Sequence, residues 1–227
     1  MRPYRFPPEL IQGFRTVSVP NVSDALDRFG LPLGPRGIVP MWSGCRKLVG
    51  AAATLKLVPA SASKQSPVIG TLKAIVDAHA GDVLVIDYAS RTDVNTMGGV
   101  AGATAVHNGL AGCVSDGCVR DIEEYRAMDF PVYARGPIQS SIRNRCGYAG
   151  HAIEVELGGV RVRPGDLVFG DESGVLVVPR ERAAEVLVLA RELKATEDSV
   201  IAAIRRGEDP IEAHEKVRYD QLTSRKA

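Results

Sequence analysis

The run GDVLVIDYA, residues 81–89, is apolar at Val83, Leu84, Val85 and Ile86 with no polar alternation. A strand of that kind is stable only where both of its faces are covered. This rules out a lone sheet with one wet face and requires further layers on either side. Upstream, PVIGTLKAIVDAHA carries Val68, Ile69, Leu72, Ile75 and Val76 at helical spacing, with Pro67 suited to the first turn. Downstream, residues 98–121 (GGVAGATAVHNGLAGCVSDGCVRD) read as a glycine-rich turn, a helix over about 100–108 stopped by Gly109, a strand near 112–115, and a polar turn. A new helix is expected from about Val119, and FPVYA at 130–134 is a further short strand. Alternating strand and helix predicts an α/β sheet whose ligands gather at the carboxyl ends of the strands.

The flanks complete the plan. Three prolines in the first fifteen residues predict an arm rather than an element. SVPNVSDALDRFGL predicts a helix capped by Asn21 or Ser23, with Val22, Ala25, Leu26 and Phe29 on one face and Asp24 and Asp27 near its positive end. After a Pro/Gly-rich connection, LVGAAATLKLVPA predicts a buried strand, whereas RGPIQSSIRNRCGYAG is irregular and basic. AIEVELGGVRVRPGDLVFGDESGVLVVP has short apolar runs broken by GG, PGD and DESG turns, the pattern of an antiparallel meander. A long helix over about 182–206 and a last amphipathic piece close the chain. The expected division is an N-terminal arm (1–16), an α/β domain (17–180) and a C-terminal helical extension (181–227).

With 28 basic and 27 acidic residues the net charge is +1, and aromatic residues make up 5%. Neither a basic stripe nor a stacking surface for nucleic acid is present, so no nucleic-acid partner is expected. No apolar run is long enough to span a membrane and the first residues lack a signal-peptide core, so no membrane partner and a soluble, cytoplasmic setting are expected. The four cysteines show no metal-binding spacing, and buried or idle thiols are the expectation.

The chemistry concentrates in residues 98–121. Gly98, Gly99 and Gly102 let the backbone approach a ligand, and the first amides of the following helix favour an anion, although such a turn is also ordinary packing. Arg120 and Asp121 sit beside each other after a strand. A guanidinium there can fork onto a carboxylate and a carboxylate can ligate a hard cation such as Mg²⁺, which needs only one or two protein carboxylates. The alternative is a carboxylate stabilising the dipole of its own helix beside a surface arginine. His107 lies mid-helix beyond this turn, His79 and His151 carry no partner pattern, and the Arg135, Arg143 and Arg145 group is either an extension of the site toward a second carboxylate or simply solvated.

MGGVAGATAVHNGLAGCVSDGCVRDIEEY, together with VSDALDRFG, LVGAAATLKLVPA, GDVLVID, FPVYARG and VRPGDLVFGDESGVLVVP, resembles the family of 4-hydroxy-4-methyl-2-oxoglutarate aldolases and the related regulators of ribonuclease E activity, over about residues 17–205. The resemblance implies a three-layer β/β/α swivelling-type fold, with a C-terminal helical arm, and a trimer or hexamer with sites at subunit boundaries. It implies cleavage of 4-hydroxy-2-oxo acids to pyruvate, with oxaloacetate decarboxylation as a side activity. By position, Arg120 would bind the small 2-oxo acid and Asp121 would ligate Mg²⁺ or Mn²⁺. Gly99 and the amides of Val100 and Ala101 would hold the pyruvyl carboxylate, Asp116 would orient the turn, and Glu197 of a neighbouring subunit would hold water near the metal. Aldolases of this kind often carry a carboxylate where this chain has Gly99. The regulator branch, which acts by protein contact, is the rival reading; Asp121, which that branch lacks, favours the enzyme. A methyltransferase reading fails for want of a cofactor loop, and a dinucleotide reading of GGVAGATA fails because SRTDVNTM before it is no strand.

Overall fold

The computed structural model describes residues 4–32 and 34–217; residues 1–3 of the expected arm and the last ten of the expected C-terminal extension lie outside these. The elements run α1 (Pro8–Arg15), α2 (Val19–Arg28), β1 (Val39–Pro40), β2 (Leu48–Pro59), α3 (Pro67–Val76), β3 (Val83–Asp87), α4 (Gly99–His107), β4 (Gly112–Ser115) and α5 (Ile122–Ala127). They continue with β5 (Val132–Ala134), β6 (Cys146–His151), β7 (Val155–Leu157), β8 (Val160–Val162), β9 (Leu167–Asp171), β10 (Gly174–Val178), α6 (Ala183–Arg205) and α7 (Pro210–Val217).

The twelve-residue β2 is the spine. Its first residues pair antiparallel with β9, from Leu48 opposite Gly170 to Ala51 opposite Leu167, and its later residues pair parallel with β3. The main sheet runs β1-β5-β4-β3-β2-β9-β10, with β6 also on β2. β2 through β5 are consecutive parallel strands joined by α3, α4 and α5. The far edges of the sheet approach each other, with β1 beside β10, so the sheet is nearly a closed barrel. The fold is the expected layered α/β one.

The both-faced burial expected of residues 83–86 is met in detail. Leu84 and Ile86 belong to the core under α3, α4 and α5, whereas Val83 and Val85 face the barrel interior with Val155, Leu157 and Val168. A third core, under α1, α2 and α6, contains Phe14, Leu26, Phe169 and Leu187.

Four local expectations are corrected. Residues 8–15 are helical because the prolines precede or open the helix, where no ladder bond is lost, and Phe14 is fully buried against Phe169. The second helix starts earlier than expected, capped by Ser18: its hydroxyl accepts from the Asn21 amide at 3.3 Å while the Ser18 amide donates to Asn21 Oδ1 at 3.2 Å. Asp24 and Asp27 therefore lie beyond the first turn, which holds no acidic residue. The expected meander divides, since β7 and β8 pair only with each other while β9 and β10 extend the main sheet, the length of β2 supplying the extra edge. In the irregular basic segment, β6 forms on β2 because tertiary pairing supplies what CGYAGH lacks in pattern. Among the described residues no helix is long and apolar enough to cross a membrane.

Candidate functional site

β3 and β4 end side by side, and the loops leaving them are stitched together. Thr96 Oγ1 lies 2.6 Å from Ser115 Oγ and donates to the Cys118 carbonyl at 2.9 Å, and the Arg120 amide donates to the Met97 carbonyl at 3.2 Å. On the other side the Val119 amide donates to the Gly136 carbonyl at 3.0 Å. Residues 116–121 are thereby clamped between two neighbouring loops rather than forming the start of a helix. α5 begins only at Ile122.

Asp121 has left-handed backbone angles, φ 60° and ψ 41°, a conformation that costs a non-glycine residue about 1–2 kcal/mol. Its carboxylate makes no cap bond to its own helix. Instead Oδ2 accepts the Gly99 amide at 2.8 Å, closing the start of α4, which has no side-chain cap of its own. The dipole reading for Asp121 thus applies to a different helix from the one the sequence suggests. The amides of Val100 and Ala101 follow in the first turn of α4, where no intrahelical carbonyl serves them. Arg120 Nε is 3.4 Å from Asp121 Oδ2, buried, and without a hydrogen-bond partner among the described residues.

These groups line one cleft of about 140 Å³, together with Thr71, Asn95, Glu124 and Arg143. A Cβ added at Gly98 would lie 2.9 Å from Asp121 Oδ2 and 3.1 Å from Arg120 Nε, and one added at Gly99 would collide with the Glu124 carboxylate. Glycine at both positions keeps the cleft open. Glu124, three residues after Asp121 on the first turn of α5, is the residue that sequence reasoning missed. It puts a carboxylate into the space that a side chain at 99 would fill. The signal was present as the spacing Arg120-Asp121-x-x-Glu124, in which i and i+3 share a helix face.

Two carboxylates flanking glycine backbone, beside a buried and unsatisfied guanidinium nitrogen, form a donor set of hard oxygens suited to a sparsely ligated Mg²⁺ or Mn²⁺ whose remaining positions are water or substrate. Among the described residues no group of three or more His, Cys, Asp or Glu side chains forms a complete metal cage.

Asp116 and Glu197 lie elsewhere. Asp116, 1% exposed, accepts from the Ser90 amide at 2.9 Å and from Arg135 Nε at 2.8 Å, tying the loop after β3 to the chain after β5. Glu197 does not line the cleft of its own chain; its Oε2 accepts from Asn21 Nδ2 at 2.6 Å, pinning α6 to α2. A larger cavity, about 430 Å³, lies on another part of the molecule under His79, Asp82 and His151. There His151 does have partners, Asp77 at 2.9 Å and the Tyr148 hydroxyl at 2.5 Å, and burial pushes the Asp82 carboxyl up. Behind the cleft, burial likewise raises the Tyr125 hydroxyl far above its usual range, and that group has no hydrogen-bond partner among the described residues.

The profile of the RraA-like family, described as aldolase/RraA, matches residues 19–177. The chain is 32% identical to protein DlpA of Legionella pneumophila, covering 94% of this chain but 34% of that protein, so it spans about a third of DlpA's length. It is 34% identical to a Halalkalibacterium halodurans protein named for 4-hydroxy-4-methyl-2-oxoglutarate aldolase activity, covering 86% of this chain and 89% of that one. Among solved structures it resembles Streptomyces coelicolor RraAS2, titled an unusual member of the RNase ES inhibitor RraA family, with TM-score 0.74 and 26% identity over 86% of this chain and 96% of that one.

Proposed function

The chain belongs to the RraA-like family, and from that premise we propose that it is a divalent-metal-dependent carbon–carbon lyase. It cleaves 4-hydroxy-2-oxo acids of the 4-hydroxy-4-methyl-2-oxoglutarate and 4-carboxy-4-hydroxy-2-oxoadipate type to pyruvate and a second oxo acid, and decarboxylates oxaloacetate at the same site. One observation carries this reading: Asp121 is held in a strained backbone conformation whose effect is to bring its carboxylate, the orphaned Arg120 Nε and the start of α4 into one cleft.

Asp121 and Glu124 would hold Mg²⁺ or Mn²⁺. When bound, the ion polarises the 2-oxo group and stabilises the enolate formed from it. The amides of Val100 and Ala101, beside Gly99, receive the pyruvyl carboxylate. Arg120 stands at the 2-oxygen, where negative charge develops, and its unused Nε is the donor that answers it. The C3–C4 bond breaks as the 4-hydroxyl proton leaves through a water held by Glu124 and by Glu197 of the partner subunit. The bonding electrons enter the enolate, and protonation at C3 releases pyruvate. With oxaloacetate the departing group is carbon dioxide and no hydroxyl proton is involved. Arg120 and Asp121 also border a broad groove with Pro137, Ile138 and Gln139, which suits a site completed at the boundary of a trimer or hexamer.

The test is a coupled pyruvate assay over 4-hydroxy-2-oxo diacids and oxaloacetate, after chelation and with Mg²⁺ or Mn²⁺ restored. Asparagine tolerates the left-handed backbone, so Asp121→Asn keeps the fold while weakening metal ligation. We expect metal-dependent turnover that falls about a hundredfold or more in this variant, the scale of losing one charge-stabilising group in an active site. Full activity in Asp121→Asn would refute the metal assignment. No turnover by the wild type on any substrate would favour a protein-binding regulator, the reading suggested by the likeness to RraAS2.

A further inference from the structure

Three arginines follow β5, and the structure separates them. Arg135 is committed to Asp116, with Nη2 2.6 Å from Oδ1, and Arg145 donates to the Ser141 carbonyl in its own loop at 3.1 Å. Arg143 alone of the three lines the cleft that contains Arg120, Asp121 and Gly99. Its position is set by its neighbours: Ile142 is buried in the core, Asn144 turns the chain with φ 63°, and the Arg143 amide donates to Ser141 Oγ at 3.3 Å. Among the described residues no carboxylate lies within ion-pair distance of its guanidinium.

Arg143 also lines an adjoining cleft of about 560 Å³ with Lys64, Gln65, Ser66 and Val68. Among the described residues no acidic side chain lines that second space and Lys64 has no ion pair. The two clefts share Val68 and Arg143, so a ligand anchored at Arg120 extends past Arg143 toward a region of positive charge only. Asn95, which lines the first cleft, is 2% exposed, and its Oδ1 has no partner among the described residues. A cation without its anion, placed between two connected clefts, is a receptor for a second negative group on the same ligand.

We propose that Arg143 receives the distal carboxylate of the substrate and thereby selects dicarboxylic over monocarboxylic 2-oxo acids. This rests on the reading of the cleft as a 2-oxo acid site. A bidentate or charge-assisted contact of this kind discriminates against a ligand lacking the carboxylate because the guanidinium is then left without an anion.

The test uses two uncleaved probes of equal chain length, 2-oxoglutarate and 2-oxopentanoate, titrated calorimetrically into the full chain in excess Mg²⁺. Wild type should bind the diacid about tenfold or more tightly than the monoacid, the usual worth of a charge-assisted hydrogen bond. Arg143→Gln should bring the diacid down to the monoacid's affinity and leave the monoacid unchanged, and Arg143→Lys should keep part of the preference. Equal affinity for both probes in wild type, equal weakening of both in Arg143→Gln, or a preference that survives this variant each overturns the proposal. Pyruvate release from 4-hydroxy-4-methyl-2-oxoglutarate is measured in parallel. Turnover with no Arg143-dependent preference keeps the lyase and sinks the subsite, and an Arg143-dependent preference without turnover does the reverse. Binding of neither probe overturns the subsite, and if turnover is absent as well it overturns both.

Discussion

Asp121 pays for its place with backbone strain, and what the strain achieves is a carboxylate pointed across the chain at the Gly99 amide instead of back along α5. Gly99 is the counterpart of that choice. A methyl group there would meet Glu124 Oε2, the mobile end of a side chain, so Gly99→Ala displaces the carboxylate without breaking the fold. We expect Gly99→Ala and Glu124→Gln to lower kcat for pyruvate release about ten- to a hundredfold, the range for a positioned acid–base group. Their melting temperatures should stay near wild type; unchanged kcat in both would assign Glu124 to the solvent. Arg120 and Asp121 stood out in the sequence as candidates because a charged pair in the turn that follows a buried strand lies where this fold class gathers ligands. Glu124 did not, because position 99 invites a search for a carboxylate along the chain, whereas the space is filled from the next helix. The partners of Arg135 and Glu197, Asp116 and Asn21, are long-range contacts that no local pattern announces.

Between elements, α4 and α5 meet through Gly102. A Cβ there would come within 2.5 Å of the Tyr125 ring, which is fully buried and tilted against Phe130 at 6.4 Å between centroids. Unlike the carboxylate facing Gly99, this ring has nowhere to move. Gly102→Ala should therefore destabilise the protein by about 1–3 kcal/mol, the cost of overpacking a filled core, despite alanine's better helix propensity. Denaturant titration checks it, and a variant as stable as wild type would mean that the two helices can separate freely. In the sequence this glycine was grouped with Gly98 and Gly99 as freeing the backbone to approach a ligand, with ordinary packing as the alternative. In the structure Gly98 and Gly99 border the cleft and Gly102 serves packing, a division that spacing within GGVAGATA does not reveal.

At the scale of the whole molecule, three cores cover the sheet on both faces, and all four cysteines are free and buried within or beside them. Burial raises each thiol's pKa, so the reactive thiolate is disfavoured near neutral pH and becomes accessible only as the pH climbs above the ordinary thiol range or the fold opens. An Ellman titration at pH 8 should find no rapidly reacting thiol in the native protein and four in guanidinium chloride; a fast native equivalent would show that one core opens locally. The layered α/β plan was fixed by the amino-acid order alone, because an uninterrupted apolar strand beside amphipathic helices has no other way to bury both faces. The candidate cleft lies where that plan directs attention, at the carboxyl ends of parallel strands. Only the tertiary structure decided which helix Asp121 caps, which arginine stays unpaired, and which carboxylate stands over Gly99. Those outcomes depend on side chains brought together from distant segments, and local periodicity carries no information about such meetings.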